Sequence, residues 1–225
     1  MNTSMILIFD LDDTLYDEKL YAISGFRAVA KYISMTYGVS INESVCILNQ
    51  SLVSGTRGRA FQDLIVAKSL PKREVNQCIR IYRNHEPDIY LDEVTKETLA
   101  ELTKFQKYLV TDGNKLVQRK KIKALKLDSF FKRTFTTHSF GLSAAKPSTY
   151  CFKLIKDLEE ASWSDLVYIG DDPSKDFVNL KPLGVTTVRV IKGRHSSIKL
   201  SKTYEADFQI SGINKLSEVL GFNNG

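Results

Sequence analysis

The chain has little of what marks several large protein classes. Its 225 residues include only three cysteines, Cys46, Cys78 and Cys151, widely spaced and with no Cys-x-x-Cys pair. An odd, unpatterned set argues against a disulfide framework and against a zinc site. Two of the three sit among apolar neighbours at helical spacing, as buried thiols do. No apolar run approaches the roughly 18 residues of a membrane span. The first four residues carry no basic side chain, and the short apolar run after them ends in Asp10, which is unlike a secretory leader. There is no internal repeat and no low-complexity tract. The expectation is a soluble, cytoplasmic protein of one domain, or one domain with an insertion. The 43% of hydrophobic residues is enough for a sizeable core.

Acid is in deficit: the net charge is +6. Much of the excess lies in Lys115 to Lys126 and Lys192 to Lys202. Such charge attracts an anionic substrate or nucleic acid, or forms a solvated helix face and a basic loop. No nucleic-acid motif accompanies it, so no nucleic-acid or membrane partner is expected, and a small phosphorylated metabolite would be drawn equally well.

Short apolar runs near 5–9, 107–111, 134–137, 166–169, 186–190 and 207–210 predict strands. They lack polar alternation, which fits a sheet buried on both faces. Helical patterns separate them. Cys151, Leu154, Ile155 and Leu158 recur at i, i+3, i+4 and i+7, and Val117, Ile122 and Leu125 share a broader face. Strand–helix alternation predicts an α/β fold, a parallel sheet with helices on both faces. The rhythm breaks between Tyr16 and about Thr95, where no strand is evident. There Phe26, Val29, Ala30 and Ile33 form one helix face, Phe61, Leu64 and Ile65 another, and Val75, Ile79 and Tyr82 a third. The predicted organisation is a core of residues 1–16 and 96–225 with a helical insertion at 17–95.

The most informative stretch is Ile6-Leu7-Ile8-Phe9-Asp10-Leu11-Asp12-Asp13-Thr14. A strand runs straight into Asp10, with a second carboxylate two residues on. A strand end holds a nucleophilic carboxylate rigidly, and two chemically alike acids in different surroundings can divide the attacking and proton-carrying roles. In open α/β sheets ligands sit beyond the carboxyl ends of strands. Asp10, Thr111 and Asp171 all fall at such ends and can converge. Asp10, Asp12, Asp171, Asp172 and Asp176 would then crowd one pocket, which is unfavourable without a cation. Hard oxygen ligands favour Mg2+. The alternative for Asp172 and Asp176 is a pair of acids at a helix N-terminus.

Asp10 to Thr14 resembles the Asp-x-Asp-x-Thr signature that opens the haloacid dehalogenase-like hydrolase superfamily. Tyr108-Leu109-Val110-Thr111-Asp112-Gly113-Asn114 is similar to its second motif, Lys146-Pro147 to its third, and Gly170-Asp171-Asp172-Pro173-Ser174-Lys175-Asp176 to its fourth. The resemblance implies a Mg2+-dependent phosphatase acting through an aspartyl-phosphate. Asp10 would attack and Asp12 would serve as acid and base. Thr111, the Asp112 amide and Lys146 would hold the phosphoryl group. Asp10, the carbonyl of Asp12 and Asp171 would hold the metal, with Asp176 acting through water. An acid at Asp12 points to phosphate rather than dehalogenase chemistry. Asp13 stands where many members have glycine. The insertion would be a cap that selects substrates, with Arg57 and Arg59 as candidate contacts, although both also read as a basic interhelical turn. Arg80, Arg83 and His85 read as surface residues, and His195 has no evident partner. A phosphoryl-transferring sugar-phosphate mutase and a non-catalytic binding module remain alternatives.

Overall fold

The computed structural model describes residues 5–221. Six strands form one sheet: β1 Ile6–Phe9, β2 Gln106–Thr111, β3 Arg133–Thr136, β4 Leu166–Gly170, β5 Thr186–Val190 and β6 Phe208–Ile210. All pair in parallel, in the order β3-β2-β1-β4-β5-β6. The predicted α/β architecture is therefore observed. Every residue of β1 and β4 is buried, as a sheet covered on both faces requires. One face packs Ile6, Ile8, Tyr108, Val110 and Tyr168 against Phe152 and Ile155 of a flanking helix.

The helices are α1 Glu18–Tyr37, α2 Ile41–Val53, α3 Ala60–Ala67, α4 Glu74–Asn84, α5 Glu93–Glu101, α6 Lys115–Ala124, α7 Tyr150–Leu158 and α8 Leu216–Leu220. Two of them, α2 and α5, are not among the helix faces read above from the sequence. The buried face of α2 is Ser44, Leu48 and Ser51, with a single large apolar residue. The start of each is written in its cap: Ser40 accepts from the Glu43 amide, and Asp92 from that of Thr95.

The chain forms two compact units, one of residues 5–18 with 90–221, the other of residues 19–89. The second is shorter at both ends than the 17–95 read from the sequence, because Tyr90 onward, including α5, belongs with the sheet. Its core joins Phe26, Val29 and Ile33 of α1 to Leu48, Leu64, Ile65 and Cys78. His85 is buried there, contrary to its surface reading: its Nδ1 lies 2.6 Å from the Tyr82 carbonyl and its ring beside that of Tyr21. Arg80 and Arg83 are exposed as expected. Cys78 and Cys151 are buried, and desolvation raises both thiols to about 11.

In the sheet unit β1 lies between β2 and β4, so the chain crosses to opposite sides of it. That is the topological switch point at which α/β folds open a crevice. Phe9 is level with Leu109 and Ile169. Asp10, Thr111 and Asp171 therefore emerge at one rim.

Candidate active site

The site is built where three central strands end. Asp10 is fixed to the neighbouring strand by its own amide, which donates to the Ile169 carbonyl at 2.8 Å. Its side chain is 7% exposed. Oδ1 accepts from Lys146 Nζ at 2.7 Å, while Oδ2 has no hydrogen-bond partner among the described residues. Desolvation pushes the Asp10 carboxyl up to about 7, against the opposing pull of Lys146.

Lys146 precedes α7, and its ammonium is shared. It lies 2.7 Å from Asp176 Oδ1 and donates to Tyr168 Oη at 2.8 Å. Burial would lower its pKa, but Asp10 and Asp176 outweigh burial and hold it well above the usual range. Asp176 Oδ2 accepts the amides of Asp171 and Asp172 at 3.2 and 2.9 Å, so Asp176 braces the loop after β4. Gly170 is required by this approach, since a Cβ there would sit 2.5 Å from Asp176 Oδ2. Between β4 and β5 there is a 3-10 turn, Lys181–Leu183, and no α-helix. The reading of Asp172 and Asp176 as helix N-terminal acids is therefore corrected. Asp172 Oδ1 instead accepts the amide and hydroxyl of Ser174 at 3.0 and 2.6 Å, closing a local turn.

Asp12 is clamped by three donors. Tyr16 Oη and Lys121 Nζ each reach Oδ1 at 2.7 Å, and Gln118 Nε2 reaches Oδ2 at 2.9 Å. Burial works to raise its pKa, but the Lys121 charge and these hydrogen bonds outweigh it and hold Asp12 as a carboxylate. Gln118 and Lys121 lie three residues apart on α6, which starts at an Asn114 cap just past the end of β2. Gln118 Nε2 also donates to Thr111 Oγ1 at 2.6 Å, which leaves the Thr111 hydroxyl proton free to donate elsewhere. The solvated-face reading of Lys115 to Lys126 thus fails at Lys121, which is buried beneath the site. Spacing from the Asn114 cap could have singled it out.

Asp112 is oriented by Thr137 Oγ1 at 2.7 Å, by the Lys146 amide at 3.1 Å and by Lys175 Nζ at 3.2 Å. Asp13 has φ +56°, a left-handed conformation that Asp tolerates and glycine adopts freely, which is the physical sense of that position. Its carboxylate accepts the amides of Glu18 and Arg194 at 3.0 and 3.2 Å. The Thr14 hydroxyl is buried without a partner among the described residues.

The sequence reading left His195 without a partner. The structure supplies one: Nδ1 lies 2.7 Å from Asp171 Oδ2 and Nε2 lies 3.6 Å from Asp172 Oδ2. The hydrogen bond to Asp171 raises the imidazole pKa, while burial raises that of Asp171. A cavity of about 40 Å3 opens among these groups. Asp10, Asp12, Thr111 and Asp171 line it from the strand ends, and Lys175, Arg194 and His195 from the loops. Among the described residues no three histidine, cysteine or acidic side chains gather as a metal-binding set. The acids are spaced by Lys146, Lys175 and His195. Among the described residues Asp10 Oδ2 and Asp171 Oδ1 nevertheless accept no hydrogen bond, both residues line this cavity, and such hard oxygens suit a divalent cation.

Arg57 and Arg59 lie in the helical unit, in a 3-10 turn between α2 and α3. Arg57 Nη2 donates to Tyr82 Oη at 2.7 Å, and Arg59 is an exposed residue 3.8 Å from Asp63.

A parallel sheet with paired acids after its central strand, a lysine against the first of them and a bracing acid after β4 defines a hydrolase of the α/β class. The chain belongs to the haloacid dehalogenase-like hydrolase family, whose model matches residues 7–190. It is 29% identical over 222 residues to glyceraldehyde 3-phosphate phosphatase of Methanocaldococcus jannaschii, covering 95% of this chain and 96% of that one. It is 27% identical over 237 residues to the enzyme of the same name from Pyrococcus furiosus, covering 100% and 96%. Among solved structures, the Bacillus subtilis protein YfnB bound to magnesium superposes with a TM-score of 0.70 at 18% identity, covering 97% of this chain and 99% of that one. At that identity the likeness shows the fold. Among the described residues no helix is long and apolar enough to cross a membrane.

Proposed function

We propose that the protein is a Mg2+-dependent phosphatase of small phosphorylated sugars, working through an aspartyl-phosphate on Asp10. The observation that carries this reading is the pairing of a buried Asp10, one oxygen on Lys146 and the other unpartnered, with a second, separately held carboxylate at Asp12. Relatives named glyceraldehyde 3-phosphate phosphatase support the choice of a three-carbon sugar phosphate as the first substrate to try.

Asp10 Oδ2 attacks phosphorus, and the bond from phosphorus to the leaving oxygen breaks. Asp12 gives that oxygen a proton. A water then attacks the phosphoryl group and passes a proton to Asp12, and the bond to Asp10 breaks to release phosphate. The clamp of Lys121, Gln118 and Tyr16 keeps Asp12 in the ionised form that serves the second step. An arriving phosphate dianion favours its protonation for the first. Thr111 and the Asp112 amide donate to the phosphoryl oxygens, and Lys146 offsets charge on Asp10 and on the phosphate. Mg2+ would be held by Asp10, the Asp12 carbonyl and Asp171, with Asp176 behind them, and would neutralise the charge that builds on the phosphoryl oxygens. It needs only one or two carboxylates, because substrate and water fill its other positions.

By its place in the chain, between β1 and β2, the helical unit is proposed as a cap that selects the substrate, with Arg57 and Arg59 as its contacts. Interdomain movement in the YfnB structure supports a mobile cap in this fold. The test is phosphate release from sugar phosphates, glyceraldehyde 3-phosphate included, with Mg2+ and with excess chelator. The expected result is Mg2+-dependent release. Full activity in chelator overturns the metal, and no release from any phosphomonoester overturns the phosphatase. For the cap, Arg57→Ala and Arg59→Ala should raise KM for a sugar phosphate more than for a small aryl phosphate; equal effects on both reject the two arginines.

A further inference from the structure

The basic loop after β5 is built onto the catalytic rim. Arg189 of β5 is 2% exposed and spends its guanidinium on that attachment. Its Nη2 donates to the carbonyls of His195 and Ile198 at 2.7 and 3.0 Å, and Nε donates to the Asp171 carbonyl at 3.3 Å. Its Nη1 donates to Glu205 Oε1 at 2.7 Å, so the buried charge is paired. One buried cation thus ties residues 195–198 to the residue that follows β4. At the other end of the loop, Gly193 has φ +67°, and a Cβ there would stand 2.2 Å from Asp13 Cγ. Only a glycine lets the backbone come this close, and the approach lets the Arg194 amide bond to Asp13.

This construction sets the Arg194 side chain at the cavity that Asp10 and Thr111 line. The guanidinium is half exposed, with Nε 3.8 Å from Asp13 Oδ2 and Nη1 3.7 Å from Glu18 Oε2. Two carboxylates therefore offset its charge. Both distances exceed hydrogen-bonding length, so its N–H groups are not consumed. Such a group has donors to offer while its charge is shared with two acids. It suits a neutral oxygen acceptor, whereas a second carboxylate on the substrate would meet Asp13 and Glu18 behind the arginine.

Resting on the phosphatase reading above, we infer that Arg194 is a further specificity-determining residue of this site. It donates hydrogen bonds to a neutral carbonyl or hydroxyl oxygen of the leaving group, and so selects short phosphorylated aldehydes and polyols over phosphorylated carboxylic acids. The contact comes from the sheet unit itself.

The experiment compares glyceraldehyde 3-phosphate, 3-phosphoglycerate and p-nitrophenyl phosphate, with Mg2+, on the full chain and on Arg194→Ala and Arg194→Lys. The first two substrates match in length and differ in the carboxylate, and the third lacks an aliphatic acceptor. The native chain should favour the aldehyde over the acid by about tenfold or more in kcat/KM. Arg194→Ala should cut kcat/KM for the aldehyde by about 10- to 100-fold, the scale of losing hydrogen bonds from a charged donor. The cut should fall mainly on KM and exceed the loss on the aryl phosphate, and Arg194→Lys should restore part of it. An equal loss on all three substrates would mean that Arg194 merely supports the fold, and overturns the inference. So does a native preference for the acid, or an aldehyde-to-acid ratio that Arg194→Ala leaves unmoved. In each of those cases hydrolysis persists and the phosphatase reading stands; absence of hydrolysis of all three overturns both.

Discussion

Lys146 Nζ stands 2.7 Å from Asp10 Oδ1 across a separation of 136 residues, with both side chains buried. The contact joins the first strand of the sheet to the loop before α7. It also sets the form in which Asp10 is poised, since burial alone would leave the carboxyl protonated.

Removing that ammonium is expected to cost stability. Lys146→Ala leaves Asp10 and Asp176 buried without their shared cation, a loss of about 3–5 kcal/mol for breaking a buried pair. Urea unfolding at neutral pH measures it. A loss well under 1 kcal/mol would contradict the pairing.

Asp10→Asn keeps the size and the Lys146 contact but removes the attacking carboxylate. Turnover should fall by several orders of magnitude while the protein stays folded. Single-turnover phosphate release on a sample with native circular dichroism is the check. Near-normal rates would reject Asp10 as nucleophile.

Asp12→Asn should slow hydrolysis of an alkyl phosphate more than that of an activated aryl phosphate, because only the poor leaving group depends on protonation. Equal loss on both would remove Asp12 from the acid role.

Gly170→Ala is expected to destabilise by about 1–3 kcal/mol, the usual cost of overpacking. The added methyl meets the Asp176 carboxylate at 2.5 Å, and Asp176 holds the amides of Asp171 and Asp172. A thermal melt reads the loss, and an unchanged midpoint would show that the carboxylate can yield.

Asp112 supplies a pH signature. Burial works to raise its pKa, but Lys146, Lys175 and the hydrogen bond from Thr137 outweigh it and hold the carboxyl below its ordinary value of 3.8. A depressed folded pKa stabilises at pH above the unfolded value. That contribution is lost as pH falls below about 4 through the folded pKa. Asp112→Asn should therefore flatten the acid limb of the stability curve. Parallel acid limbs in the two proteins would show that Asp112 does not contribute.

The six strands and the residues at their ends were legible in the sequence. A buried parallel strand is a short apolar run, and the motif acids follow it directly in the chain. Asp10, Thr111 and Asp171 could be picked out because each directly ends such a run, whereas Lys146 was marked only by its likeness to a family motif ahead of a helix. The helices α2 and α5 were not read, although Ile41, Val45, Leu48 and Leu52 recur at helical spacing along α2 and side-chain caps mark both starts. Nor were the partners of the acids. Lys121 looked like one more lysine on a solvated face, and only the fold buries it and turns it to Asp12. Arg194 and His195 read as part of an ordinary basic loop until the fold brought them beside Asp13 and Asp171, and Arg189, inside a predicted strand, carried no signal at all. Sequence determined which groups stand at the rim, because strand periodicity is local. The tertiary structure decided which charge faces which, because that depends on contacts between residues a hundred or more positions apart.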